Sequence, residues 1–107
     1  MTDFPRLDDR CIEDPIIRTM LHREILAQAA DRSIPLREYE ISGDEIYRPD
    51  LAAQRAYGNH VLRWVITLLA GNDDESQPLP QGETLRLPDV VWIRERIRHY
   101  SAGGGVE

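Results

Sequence analysis

The chain has 107 residues, a length typical of one domain with a modest core. Apolar residues make up 41% of it and charged residues 30%, a globular rather than a disordered composition. The net charge of −6 argues against a nucleic-acid binder, which needs clustered cations to hold phosphates. All 13 cations are arginines, so exposed basic contacts would be planar and bidentate.

The first 13 residues are polar, and we expect them to be irregular or extended. They do not fit a secretory signal, because they contain acidic residues and no apolar core segment. Cys11 lies in this segment; as the one cysteine it cannot form an internal disulfide, and we interpret it as an incidental thiol. The longest apolar run is residues 65–70, whereas a membrane span needs about 20 residues, so we expect a soluble protein.

Asp14-Pro15 is typical of a helix start, because Asp can cap the first N–H groups and Pro suits the first helical position. Apolar residues at helical spacing then predict a helix to about residue 32. They are Ile17, Met20, Leu21 and Ile25. The segment Ser33-Ile34-Pro35 ends this helix, and "LREYEI", residues 36–41, predicts a short strand before a turn.

A second helix is predicted from Pro49 to Tyr57, with Gly58 as its left-handed stop. Asn59 can cap a third helix, residues 60–70, whose apolar residues cover more than the ~100° stripe of a surface helix. They are Val61, Leu62, Trp64, Val65, Ile66, Leu68 and Leu69. One face of this helix must meet the strands. The rest must meet the flanking helices or another protein.

After an acidic, proline-punctuated loop, "ETLRLP" predicts a second strand with Leu85 and Leu87 on one face. Pro88-Asp89 opens a last helix, and we expect the tail "SAGGGVE" to be frayed. The apolar stripe of this helix is Val90, Ile93, Ile97 and Tyr100. The predicted fold class is α+β, with a two-stranded antiparallel sheet, two helices packed on it, and one helix on either side in the chain.

The middle of the chain therefore has the strand–helix–helix–strand order of a LysM unit, and its residues resemble one. "EYEISGDEI" is similar to the LysM opening, "LAAQRAYG" to its first helix, and "LPQGETLRLP" to its closing turn and strand. Within that group, "YRPDLAAQRAYGNHVLRWVITLLAG" looks most like the LysM-like proteins of contractile phage tails. These include baseplate wedge proteins and the small tail protein X family. The resemblance covers residues 36–88, half of the chain.

This resemblance implies a LysM-like domain in residues 36–88, an N-terminal arm and helix in residues 1–35, and a C-terminal helix with a flexible tail in residues 89–107. It also implies a structural subunit of a phage contractile tail or baseplate, or of a related injection machine. Such a protein is made in the host bacterial cytoplasm and located in the virion. It would join tube, sheath or baseplate proteins by non-covalent contacts, in several copies, without enzymatic activity or a cofactor.

The alternative is a LysM module that binds peptidoglycan or chitin. Glu45 stands where sugar-binding LysM modules usually have Thr or Ser, and residues 70–73 replace the usual Asn-Pro after the second helix. The resemblance places the contacts to N-acetylglucosamine at these positions. We therefore do not expect glycan binding.

Five residues are candidates for a partner interface: Arg48, Tyr57, Trp64, Arg94 and Arg98. Trp64 and Tyr57 can form a sugar-stacking platform or a partner contact, or they can fill the small core, which we favour. Arg94 and Arg98, spaced i, i+4, can grip an acidic neighbour or form a solvated helix face. Because both terminal segments have few apolar groups, we expect at least one of them to become ordered only against a neighbouring subunit.

Catalytic and metal sites are not predicted. His22, His60 and His99 lie in three different elements, and we interpret them as solvated rather than as metal ligands. Asp44 and Asp50 are explained by turn formation and helix capping, and no nucleophile lies beside them. The acidic loop "NDDE", residues 72–75, lacks the glycine-punctuated spacing of a calcium site.

Overall fold

The computed structural model describes residues 7–101. In these residues the predicted α+β class is confirmed, with four helices, a two-stranded antiparallel sheet, and a β-α-α-β unit flanked by a helix on each side. The elements in chain order are α1 (Pro15–Ala30), β1 (Arg37–Glu40), α2 (Pro49–Tyr57), α3 (Arg63–Leu69), β2 (Thr84–Leu87) and α4 (Val90–Ser101). Short 3-10 turns precede α1, α2 and α3 at Asp9–Cys11, Gly43–Glu45 and His60–Leu62.

The predicted capping residues set the helix ends. The Asp14 carboxylate accepts the Ile16 N–H at 2.8 Å and begins α1. Gly58, with φ at 74°, ends α2, because few other residues adopt this left-handed conformation without strain. Asn59 caps a 3-10 turn rather than an α-helix, so the predicted helix over residues 60–70 is divided into that turn and α3.

The sheet pairs Arg37 with Leu87 and Tyr39 with Leu85. Leu85 and Leu87 are both buried on one face, as predicted. Two strands of four residues are marginal without helices packed on them. Arg86 of β2 contributes to that packing, because it donates to the carbonyl groups of Ala29 and Asp31 at the end of α1 and of Ile34 in the segment that leads to β1. Carbonyl groups at a helix C-terminus lack partners within the helix, so these bonds stabilise it.

One core joins the β-α-α-β unit to both flanking helices. On α3 and the turn before it, Leu62, Val65 and Ile66 are fully buried. Residues from other elements complete the same core: Leu21 and Ile25 of α1, Ala52, Ala53 and Ala56 of α2, and Ile93 and Ile97 of α4. The apolar residues of α3 are therefore buried largely by other elements of the same chain.

The apolar stripes of the flanking helices are confirmed with one exception. Ile93, Ile97 and Tyr100 of α4 are buried. Met20, expected in the stripe of α1, has 37% of its surface exposed, because it lies at the outer edge of the buried side that holds Leu21. The predicted opening at Pro88-Asp89 lies directly before the observed start of α4 at Val90, whereas Ser101, the first residue of the tail expected to be frayed, is the last residue of this helix.

The N-terminal segment differs from the expectation. Residues 9–11 form a 3-10 turn, and Ile12, only 2% exposed, belongs to the core. Cys11 is half-buried against that core, and its burial raises the pKa of the thiol. The expectation that residues 1–13 are irregular or extended is thus wrong for residues 9–11, and this segment packs on the core of the chain. Residues 1–6 and the tail from residue 102, expected to be frayed, lie outside the described part.

Candidate functional site

A buried carboxylate organises the turn between β1 and α2. Glu45 is fully buried and accepts the Ser42 N–H at 2.9 Å, which completes a capping box. Its other oxygen, Oε2, accepts from Arg55 Nη1 at 3.0 Å and from the Tyr39 hydroxyl. Both carboxylate oxygens are therefore used by groups of β1, the turn and α2.

Arg55 also binds the exposed carboxylate next to Glu45. Its Nη2 donates to Asp44 Oδ2 at 2.8 Å and its Nη1 to Asp44 Oδ1 at 2.9 Å. The Ser42 hydroxyl adds a bond of 2.6 Å to the same Oδ1. One guanidinium thus joins two adjacent carboxylates, and α2 is fixed to the turn that precedes it.

The electrostatics of this cluster favour ionised carboxylates and a neutral phenol. Burial raises the pKa of Glu45, but the bonds from Ser42, Tyr39 and Arg55 outweigh it, so the net pKa lies below its usual value. The bonds from Arg55 and then Ser42 lower the pKa of Asp44. Burial, followed by the bond to Glu45, raises the pKa of Tyr39 to about 12. The cluster is a structural ion-pair network with its polar groups satisfied.

Sequence patterns correctly indicated Asp44 as a turn residue but missed the role of Glu45. The local signal for it is the Ser42-to-Glu45 spacing of a capping box. The burial of Glu45 depends on Tyr39 and Arg55, which no local pattern connects to it.

Trp64 holds the N-terminal segment against α1 and α3. Its indole N–H donates to the Leu7 carbonyl at 2.7 Å. His22 of α1 stacks on the indole, with ring centroids 5.6 Å apart, and its Nε2 lies 2.8 Å from Asp9 Oδ2. The indole is half-buried and packs against the core, so most contacts of Trp64, a candidate interface residue, are made within the chain.

Tyr57 is also used internally. Its hydroxyl donates to the Pro88 carbonyl at 2.9 Å, which joins the end of α2 to the start of α4. Burial raises the pKa of this phenol. The structure thus gives Tyr57 and Trp64 separate internal partners and does not bring them together as one stacking platform.

The three arginine candidates are exposed. Arg48 forms an ion pair with Asp50 at 3.1 Å and keeps 59% of its side-chain surface exposed. Arg94 and Arg98 lie one turn apart on the exposed side of α4. Within residues 7–101 neither guanidinium group donates a hydrogen bond or forms an ion pair. Arg96, on the other side of α4, binds Glu24 of α1 at 2.8 Å.

The histidines and acidic residues do not assemble a metal site in the described segment, where no group of three or more ligand-type side chains is suitably placed. His22 is not solvated as expected, because it lies between Trp64 and Asp9. His60 and His99 are exposed. In the acidic loop, Glu75 binds Arg63 at 3.0 Å and Asp74 accepts the Ser76 N–H at 2.7 Å.

An open groove runs between α1 and α4. The Glu24–Arg96 ion pair and the half-buried ring of Trp92 contribute to its lining. The other lining residues are Ala27, Gln28, Asp31 and Ile34. Polar groups predominate on this surface, and it is shallow rather than enclosed.

Comparison with protein-family models, curated proteins and solved structures gives no match to this chain. Among the helices of residues 7–101, none has both the length and the apolar character required to cross a membrane.

Proposed function

We propose that the chain is a structural subunit of a contractile tail or baseplate, of a phage or a related injection machine. It would act by non-covalent contacts with tube, sheath or baseplate proteins. The resemblance of residues 36–88 to LysM-like tail proteins suggests this class, and the β-α-α-β order of that segment is compatible with it. The observation that carries the proposal is the exposed pair Arg94 and Arg98.

Arg94 and Arg98 are among the few arginines of residues 7–101 whose side chains have no partner within the chain. Most arginines of residues 7–101 donate to carboxylates or backbone carbonyl groups of the chain, whereas four make no such bond: Arg23, Arg32, Arg94 and Arg98. Two like charges one helical turn apart repel each other and do not stabilise α4 by themselves. An acidic partner would bind them by bidentate hydrogen bonds, which favours a contact role.

The position of Glu45 supports this reading over glycan binding. A sugar-binding LysM module is expected to present a small polar side chain there. Here the side chain is fully buried and both of its oxygens accept bonds from the chain. A sugar hydroxyl could reach it only by displacing Arg55 or Tyr39, which would expose a buried charge.

Incorporation into particles tests the proposal. A tagged chain is expressed in the source strain and followed through density-gradient purification of tail particles. We expect the wild type to co-purify at a fixed ratio to the tube protein and the double variant Arg94→Glu/Arg98→Glu to be depleted about tenfold. Arg32→Glu is the matched control, because it reverses another exposed, unpaired arginine.

Two outcomes would contradict the proposal. One is the absence of the wild-type chain from particles of a strain that makes them. The other is saturable millimolar or tighter binding to a chitin tetramer in titration calorimetry, which would favour the carbohydrate-binding alternative. Loss of the double variant together with the control would show that charge in general, rather than this pair, governs incorporation.

A further inference from the structure

One edge of the two-stranded sheet is open. In an antiparallel ladder, the N–H and C=O groups of successive residues point alternately toward the partner strand and away from it. The Ile41 N–H donates to the Glu83 carbonyl at 3.0 Å, so Ile41 points toward β2. By the same alternation, Tyr39 also points toward β2, whereas Glu38 and Glu40 point away from it. Each of these two glutamates therefore presents one N–H and one C=O group to the free edge of β1.

These outward groups have no partner in the part of the chain that the structure describes. Within residues 7–101 neither N–H group donates a hydrogen bond and neither C=O group accepts one, and both glutamates are exposed. We call the backbone groups of Glu38 and Glu40, together with their side chains, the β1 edge. Such an edge can bind a further strand, because it offers the donors and acceptors that a neighbouring strand uses.

The side chains of the β1 edge carry two negative charges without a partner. Glu38 and Glu40 lie on the outer face of the sheet, about 7 Å apart along the strand. Arg86 is paired with Glu38 in the register, but its guanidinium group donates to backbone carbonyl groups instead. Arg37 lies on the other face and donates to the Ala56 carbonyl. Because neither glutamate forms an ion pair in the described residues, the edge favours a partner with positive charges at the same spacing.

The same charges oppose pairing with a second copy of this edge. In an antiparallel pair of two β1 edges, the outward-pointing residues lie opposite one another, so glutamate would face glutamate. Like charges placed directly opposite destabilise a pair of strands. The terminal segments of the chain do not supply the required charges either, since residues 1–6 contain one arginine and residues 102–107 contain none. The charge pattern therefore favours a strand from another protein.

We propose that the β1 edge binds an extended segment of another protein that carries arginine or lysine at alternate positions, added antiparallel to β1. Directly opposite residues of an antiparallel pair share one face of the sheet, so these basic side chains would lie beside Glu38 and Glu40. The backbone bonds would provide affinity, and the charge pairs would select the partner. The charge of −6 also attracts a basic segment at longer range. This proposal is independent of the proposed tail function, because it rests on β1 alone.

The contact is expected to be weak when the segment is a free peptide. The β1 edge offers two N–H and two C=O groups, and exposed charge pairs add little each. We expect a Kd on the order of 1 mM at about 0.1 M salt. Binding should weaken as the salt concentration rises, because exposed charges are screened.

Titration of the isotope-labelled full chain with the capped peptide TVRVRVT, followed by NMR, tests this inference. We expect saturable binding that shifts the amide signals of Glu38 and Glu40 and slows their hydrogen exchange. The variant Glu38→Arg/Glu40→Arg should bind this peptide about 10-fold more weakly or worse. The same variant should instead bind the peptide TVEVEVT, in which the charges are reversed.

Methylation of the peptide nitrogens distinguishes strand addition from charge attraction alone. In the antiparallel arrangement, the N–H groups of the peptide's arginines point toward the β1 edge and those of its valines point away. Methylating the arginine nitrogens should therefore weaken binding about 10-fold, because it removes donors to the edge. Methylating the valine nitrogens should change Kd less than about threefold.

Glu13→Arg/Asp73→Arg is the matched control, because it changes the net charge equally at two other exposed carboxylates that form no ion pair within residues 7–101. It should change Kd less than about threefold, and thermal melting of each variant checks that the fold is retained. Absence of saturable binding at about 10 mM TVRVRVT would overturn the proposal. So would equal weakening by the control, or by both methylation patterns, since binding would then follow charge in general rather than strand pairing at this edge.

Discussion

Replacing Glu45 by Gln tests whether the buried carboxylate holds the β1–α2 turn. The substitution keeps the side chain's size and its acceptor for the Ser42 N–H, which lies 2.9 Å from Oε1. It removes the negative charge and replaces the carboxylate oxygen Oε2, which accepts hydrogen bonds from Tyr39 and Arg55. It also places an amide NH₂ group against the Arg55 Nη1 donor, so two donors face each other where a donor and an acceptor met before.

The expected loss follows from those bonds. A hydrogen bond to a charged group contributes about 1.5–3 kcal/mol, and breaking a fully buried ion pair costs about 3–5 kcal/mol. The Arg55 side chain is 43% exposed and retains Asp44, so water and Asp44 replace part of what it loses. We therefore expect Glu45→Gln to lower the free energy of unfolding by about 2–3 kcal/mol. For a chain of this size the melting temperature should fall by roughly 10 °C.

Urea denaturation followed by circular dichroism measures this loss. Glu40→Gln is the control, because Glu40 is an exposed carboxylate of β1, and it should change stability by less than about 0.5 kcal/mol. A double-mutant cycle with Tyr39→Phe should give a coupling energy of about 1 kcal/mol, since the two groups share a bond. If Glu45→Gln proves as mild as Glu40→Gln, the cluster does not stabilise the turn and the reasoning from its burial is refuted.

The remaining predictions concern pH and the N-terminal segment. Because the pKa of Glu45 is lower in the folded than in the unfolded chain, its carboxylate stabilises the fold at pH values above the unfolded pKa of 4.5. This contribution should be lost as the pH falls below 4.5 and through the folded pKa. Urea denaturation of Glu45→Gln at acidic pH should not show this loss. The pKa of Tyr39, raised to about 12, implies a contribution lost between pH 10 and 12; an ultraviolet titration should show a late-titrating phenol that Tyr39→Phe removes. Trp64→Phe keeps an apolar ring but leaves the Leu7 carbonyl without its donor; it should cost about 1 kcal/mol in urea denaturation and speed hydrogen exchange in residues 7–12. Equal exchange in wild type and variant would contradict that role.

The secondary structure could be predicted from the sequence because its signals are local. Asp14, Gly58 and Asn59 act on the backbone within a few residues, and each marks a boundary where the structure has one. The alternation of Leu85 and Leu87 likewise requires only a strand with one buried face.

Features that depend on distant partners could not be predicted. The packing of residues 7–12 depends on a bond from Trp64 to a backbone carbonyl, which no pattern in a polar segment reveals. The burial of Glu45 depends on Arg55, which lies on the next helix. Met20 lies at the edge of the apolar stripe, where helical spacing alone does not separate an inner from an outer position.

The shared core predicts that residues 36–88 do not fold without the helices that flank them. Leu21 and Ile25 of α1 and Ile93 and Ile97 of α4 are buried in the same core as α3. Removing one such side chain costs about 2–5 kcal/mol, whereas a whole domain has only about 5–15 kcal/mol of stability.

A fragment that consists of residues 36–88 alone lacks all four of these side chains, so the apolar surface of α3 is exposed. We therefore expect no cooperative thermal transition from this fragment, in contrast to the full chain measured under the same conditions by circular dichroism. A sharp melt of the fragment above about 40 °C would contradict this expectation. The β-α-α-β unit would then be self-sufficient, and α1 and α4 would be free to serve mainly as contact arms. The absence of a melt would mean that the fold requires flanking-helix packing, so that the buried sides of these helices are closed to partners and contacts are left to exposed residues such as Arg94 and Arg98.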